Sequence, residues 1–121
     1  MSIHEDDRAW LRASGLVDPE VDLDAVQIHS SGLPSLYLRI VRHGAITFGD
    51  SFWVREASRR RDIPLIAHEL VHVAQYRRRG VARFLLRYGW DLVRHRGYGR
   101  ELPLEAPAYE RGAEARRLLR T

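Results

Sequence analysis

The stretch from Asp62 to Gly80 is the most completely specified element of the sequence, and any fold this chain adopts must cover one side of it. Asp62 is a good N-cap, because its carboxylate can accept from the unpaired amides of a first helical turn. Pro64 follows within that turn, where a missing N–H costs nothing. Arg77, Arg78 and Arg79 complement the helix dipole at the other end, and Gly80 supplies a left-handed stop. The spacing predicts a helix from Ile63 to about Arg79 with an apolar stripe of Ile63, Ile66, Ala67, Leu70, Val73 and Ala74. With 121 residues, 45% of them hydrophobic, one small core can bury that stripe.

The rest of the chain reads as short strands and further helices. Residues 5 to 13 predict a helix with Ala9, Trp10 and Ala13 on its apolar side and Gly15 as its stop. A strand is expected over residues 25 to 29, and Pro34 and Gly44 favour a helix between them over a strand. Ala45 to Phe48 and Ser51 to Val54 flank Gly49-Asp50 and read as two short strands or one bent strand. Arg59 to Arg61 read as a polar loop. A second helix from Val81 to about His95 is expected to present Val81, Leu85, Tyr88 and Leu92, with Phe84 and Trp90 packed nearby, before residues 96–100 break it. A last helix begins between Pro103 and Pro107 and ends near Leu119. The fold class expected is a small α+β domain, short strands followed by one long helix and two further helices. Residues 1–121 form one unit, with an acidic segment at 1–24 and a core at 25–119.

There is no cysteine, so disulfides, thiolate metal ligands and cysteine nucleophiles are excluded, and any metal site must use His, Asp and Glu. All 20 basic residues are arginine. Seven acids and two arginines in residues 1–24 give that segment −5, while 18 arginines and nine acids give the remainder +9, so the first segment is expected to lie against a basic body. No apolar run nears the ~20 residues of a membrane-spanning helix, and the acidic start differs from a secretory signal, which predicts a cytoplasmic protein.

His68-Glu69-Leu70-Val71-His72 lies in the middle of the best helix. Residues four apart project from one side of a helix, so both imidazoles can reach one ion at about 2.0 to 2.1 Å, a geometry that suits Zn²⁺. With six His and eight Glu in 121 residues, chance supplies roughly 0.02 such patterns. A core histidine held by hydrogen bonds is the plain alternative for His72, but the apolar stripe already supplies a core face. A third ligand is needed, and Asp91, His95, Glu101, Glu105, Glu110 and Glu114 are all open to that role. Glu105 stands at the start of the last helix, where it could equally serve the dipole.

Residues 45–54, then Leu65 to Gln75 with its HELVHVAQ run, then Pro103-Leu-Glu-Ala-Pro-Ala-Tyr109, resemble minimal gluzincin-type zinc metallopeptidase domains. The chain is similar in particular to the metallopeptidase core domain of extracellular contractile injection systems, over roughly residues 25 to 115. That resemblance implies His68, His72 and Glu105 as zinc ligands and Glu69 as catalytic acid/base, with a peptide or protein as substrate. Pro107 departs from the family's ordinary helical residue, and leaves Glu101 and Glu110 as substitutes for Glu105. A zinc-bound water activated by Glu69 would then cleave an amide, with His95, Tyr98 or Tyr109 as possible stabilisers of the developing charge. Residues 46–54 are candidates to pair with an extended peptide through a strand edge.

Two other readings compete. A zinc-binding module without activity would not need Glu69, and an arginine-rich nucleic-acid binder would fit a pI of about 10.1. Against the latter, the net charge is only +4 and no nucleic-acid motif accompanies it. The second helix, with its aromatics and arginines, could lie on a membrane or a partner, although core packing is the expected use of those aromatics.

Overall fold

The computed structural model describes residues 1–41, 44–95 and 102–120. Helix α1 (Glu5–Ser14) leads to strand β1 (Gln27–His29), helix α2 (Leu33–Val41), strands β2 (Ala45–Phe48) and β3 (Ser51–Val54), and then helices α3 (Ile63–Arg79), α4 (Val81–Arg94) and α5 (Ala106–Leu119). This is the expected α+β order. No described helix is long and apolar enough to cross a membrane.

The three strands form one sheet in the order β1-β3-β2. Central β3 runs parallel to β1, with Phe52 beside Ile28, and antiparallel to β2, with Phe52 beside Thr47. The stretch 45–54 is therefore a hairpin, closed by Gly49 at φ 63° and Asp50, not one bent strand. On one face of this sheet Ile28, Phe52 and Val54 meet the predicted stripe of α3, Ile66, Ala67, Leu70 and Val73. Ile3, Leu11 and Leu23 complete the same core, so the acidic segment is also a source of apolar packing.

Helix α3 follows its sequence signals closely in its bounds, but its stop differs: Gly80 stands at φ 80° and ψ 158°, an extended glycine conformation outside the left-handed helical region expected of it. The Asp62 carboxylate accepts from the Leu65 amide at 3.2 Å, and Gly80 donates its N–H to Tyr76 O at 2.7 Å. Helix α5 lies along α3, and Gly112 lets them approach: a Cβ there would stand 3.1 Å from Pro64 O and 3.5 Å from His68 Cβ. Pro107 falls in the first turn of α5, where its ring is harmless.

Three local expectations are corrected. In α1 the inward residues are Asp7 and Leu11, while Ala9 and Ala13 are exposed. Asp7 can face inward because Arg61 donates to both of its oxygens at 3.1 Å. Residues 57–61 form a 3₁₀ turn where a loop is expected, anchored by that ion pair and by Arg60 on Ser30. In α4 the buried residues are Phe84 and Asp91, whereas Val81, Leu85 and Trp90 are exposed. Asp91 takes the inward position because Arg87 neutralises it from one turn away, at 3.0 Å.

Acids of the first segment do reach the basic body. Besides Asp7, Asp18 pairs with Arg78 at 3.1 Å and with Arg111 at 3.4 Å, and Glu20 pairs with Arg78 at 3.2 Å.

The α3–α5 approach yields a stability test. Gly112→Val, which forces a side chain against the α3 backbone, is expected to cost about 1–3 kcal/mol in denaturant unfolding. Gly89→Ala, in α4 with nothing within 4 Å of the added Cβ, is expected to gain about 0.5–1 kcal/mol.

Candidate metal centre

One turn of α3 separates His68 from His72, and both rings leave the helix on the side turned toward the start of α5. There Glu105 occupies the N-cap position of α5 at φ −88° and ψ −34°, yet its side chain makes no capping bond. Its Oε1 instead lies 2.9 Å from His72 Nε2 and 3.3 Å from His68 Nε2. The ligand atoms of these three residues all fall within 4.8 Å of one another, the one such group among the described residues.

The hydrogen bonds around His72 show what this cluster needs. Gln75 donates its amide nitrogen to Leu104 O at 2.9 Å, which turns its Oε1 toward His72 Nδ1, also at 2.9 Å. Nδ1 must therefore carry the ring hydrogen, and a neutral ring presents a lone pair at Nε2 to a carboxylate oxygen. Two acceptors facing each other at 2.9 Å require a cation between them, either a proton or a metal ion. Burial works against charging the His72 imidazole, but Glu105, Glu69 and Gln75 outweigh it and raise its pKa to about 9. Burial likewise disfavours the Glu105 carboxylate, but hydrogen bonds from His68, His72 and Tyr88 hold it well below the usual carboxylate range. Two imidazoles and an anionic carboxylate, with no thiolate, suit a divalent ion such as zinc.

Neighbouring side chains fix the geometry. Tyr88 of α4 donates to Glu105 Oε2 at 2.5 Å. Tyr109, one turn along α5, sets its ring edge-on to His68 with centroids 4.7 Å apart. Glu69 is buried, accepts from the Thr47 hydroxyl at Oε2 at 2.5 Å, and places Oε1 3.9 Å from His68 Nε2. All of these residues border one cleft of about 770 Å³, walled also by Tyr37, Ile46, Leu85 and Arg116.

The other sequence candidates are elsewhere. Glu110 is exposed, Glu114 pairs with Arg117 at 3.0 Å, and Asp91 is held by Arg87. His95 is exposed at the end of α4 and does not border the cleft, whereas Tyr109 does. Tyr98 and Glu101 lie outside the described residues. Of the strand stretch only β2 offers a free edge, since β3 is central, and one carbonyl on β2, Thr47 O, accepts from Tyr76 Oη at 3.1 Å. Sequence reasoning missed Gln75, Tyr88 and Thr47 as supports of the site. Gln75 was legible from helical spacing, three residues beyond His72. Tyr88 looked like ordinary core, and nothing local marks Thr47.

A His-Glu-x-x-His helix joined by a carboxylate from a later helix, over a small sheet, defines a metallopeptidase-like domain. The family of the eCIS core domain, the metallopeptidase-like core of extracellular contractile injection systems, matches residues 18–80, and the chain belongs to it. No curated protein and no solved structure matches the sequence. The matched region contains both histidines and Glu69 but ends before Glu105, whose place at the cluster is known from geometry alone.

Replacing Gln75 with Leu removes the acceptor that fixes His72. Divalent-metal affinity, read by competition with a chromophoric chelator, is expected to fall about 10- to 100-fold while the helix content stays unchanged.

Proposed function

We propose that the chain is a zinc-dependent peptidase, residues 1–121 acting as one unit, with His68, His72 and Glu105 as ligands and Glu69 as general acid/base. The observation that carries this reading is the approach of two imidazole nitrogens to one oxygen of Glu105, with the Glu69 carboxylate beside them. Bound zinc would supply a Lewis acid and a water of lowered pKa. The chain's own groups account for orientation and proton movement. Gln75 holds the His72 tautomer, and Tyr88 holds the second oxygen of Glu105. The Thr47 hydroxyl occupies Glu69 Oε2, so Oε1 is the atom left to take the proton of the attacking water and to deliver it to the leaving amine nitrogen. Tyr109, on the cleft wall against His68, is the proposed donor to the developing oxyanion. An extended peptide would lie along the open edge of β2, in a cleft walled by Ile46 and Leu85.

The nucleic-acid reading is weakened by where the arginines point. Arg59 pairs with Asp62, Arg61 with Asp7, Arg77 with Asp50 and Arg78 with Asp18, so much of the clustered charge is neutralised within the chain.

Elemental analysis is expected to give about one zinc per chain, strongly reduced in His72→Ala and in Glu105→Ala. Glu69→Gln should keep its zinc and lose about 10²- to 10⁴-fold in peptide hydrolysis. Zinc retained with no hydrolysis by the wild type across a diverse peptide library would instead favour the inactive metal-binding module. Thr47→Val is expected to lower kcat while leaving the metal content unchanged.

A further inference from the structure

Helix α4 is attached to the rest of the described fold along one side only. Phe84 stacks on Tyr76 of α3 with centroids 3.9 Å apart, Tyr88 reaches Glu105, and Asp91 is buried beneath Arg87. The opposite side carries Leu86 and Val93, each 74% exposed, and Trp90, 61% exposed. At 3.6 residues per turn these three side chains form a continuous strip with Leu85, across the small residues Ala82 and Gly89. Arg83, Arg87 and Arg94 then fall together within about 40° of arc along its border, next to Trp90. The strip carries no acid, because the helix's single acid is Asp91. This corrects the expectation that the α4 aromatics all serve the core: Phe84 does and Trp90 does not.

The chemistry of the strip selects its occupant. Arg87 is turned to Asp91, which leaves the guanidinium groups of Arg83 and Arg94 beside the strip to complement an anionic surface. Trp90 stands at the line between apolar and charged residues, the position a Trp ring takes at a bilayer interface. The strip lies on one side of a single helix, while the cleft lies beyond its other border at Leu85.

We propose that α4 is a membrane-surface helix: its Leu86–Trp90–Val93 strip enters the headgroup–acyl boundary of an anionic bilayer, with Arg83 and Arg94 on the lipid headgroups. Because Leu85 belongs both to the strip and to the cleft wall, docking in this way sets the cleft mouth beside the lipid surface. The proposal does not depend on the metal site or on peptidase activity.

The test is co-sedimentation of the full chain with phosphatidylcholine vesicles with and without phosphatidylserine, together with tryptophan emission. Binding is expected to require phosphatidylserine, to weaken as salt rises, and to shift the emission to the blue. Leu86→Glu combined with Val93→Glu should abolish it. Arg83→Glu combined with Arg94→Glu, which leaves the apolar residues in place, should weaken it at least about tenfold. Circular dichroism and metal content unchanged from wild type would show that both variants remain folded. The proposal is overturned if the wild type does not bind phosphatidylserine vesicles, binds neutral vesicles as tightly, or binds equally well with either pair substituted. It is equally overturned if sedimentation shows a wild-type dimer that Leu86→Glu with Val93→Glu converts to a monomer, because the strip would then be covered by a second copy.

Discussion

Oε1 of Glu105 faces two imidazole nitrogens in a largely buried corner of the cleft, where residues of α3, α4 and the start of α5 meet. A buried carboxylate is costly unless opposite charge and hydrogen bonds offset the loss of water. The offsetting groups on Glu105 come from two helices, α3 and α4. α3 contributes the imidazoles, α4 contributes the Tyr88 hydroxyl, and the backbone ahead of α5 is tied back to α3 through Gln75 and Leu104 O. The close α3–α5 packing at Gly112 brings the carboxylate within reach, since His68 itself forms part of that contact. Packing and site chemistry thus share residues and cannot vary separately.

A second charge arrangement joins the start of the chain to its core. Asp7 receives two parallel hydrogen bonds from Arg61, a fork geometry stronger than most surface pairs, and the same helix inserts Leu11 among the core residues. Asp18, half-buried, lies between Arg78 of α3 and Arg111 of α5, and so bridges the two helices that carry the ligands. The exposed pair of Arg12 with Asp24 contributes less, because solvent screens it.

How much of this was legible in the sequence depended on how local each signal was. α3 could be read almost to the residue, because Asp62, Pro64 and Gly80 act within a turn of themselves. The strands around Gly49-Asp50 were visible for the same reason. The inward faces of α1 and α4 were misjudged where a carboxylate, Asp7 or Asp91, takes a buried position. Hydrophobic patterning marks such a residue as solvent-facing, and only its arginine partner makes burial affordable: Arg61 is 54 residues away from Asp7, while Arg87 stands one turn from Asp91. At the site, the histidine pair follows from helical spacing, whereas Glu105 was one of six possible third ligands from spacing alone. Its choice depends on a contact across 33 residues, which no local pattern records. Thr47, 22 residues before Glu69, is invisible for the same reason.

Gly80 ends α3 and begins α4, with φ 80° and ψ 158°, a conformation essentially reserved for glycine. The two helices therefore meet at a one-residue joint with no spacer to absorb movement. α3 is clamped by the sheet below it and α5 beside it, while α4 is held on one side. Because the Tyr88 hydroxyl donates to Glu105, the backbone angles of this single glycine also set where α4 meets that carboxylate.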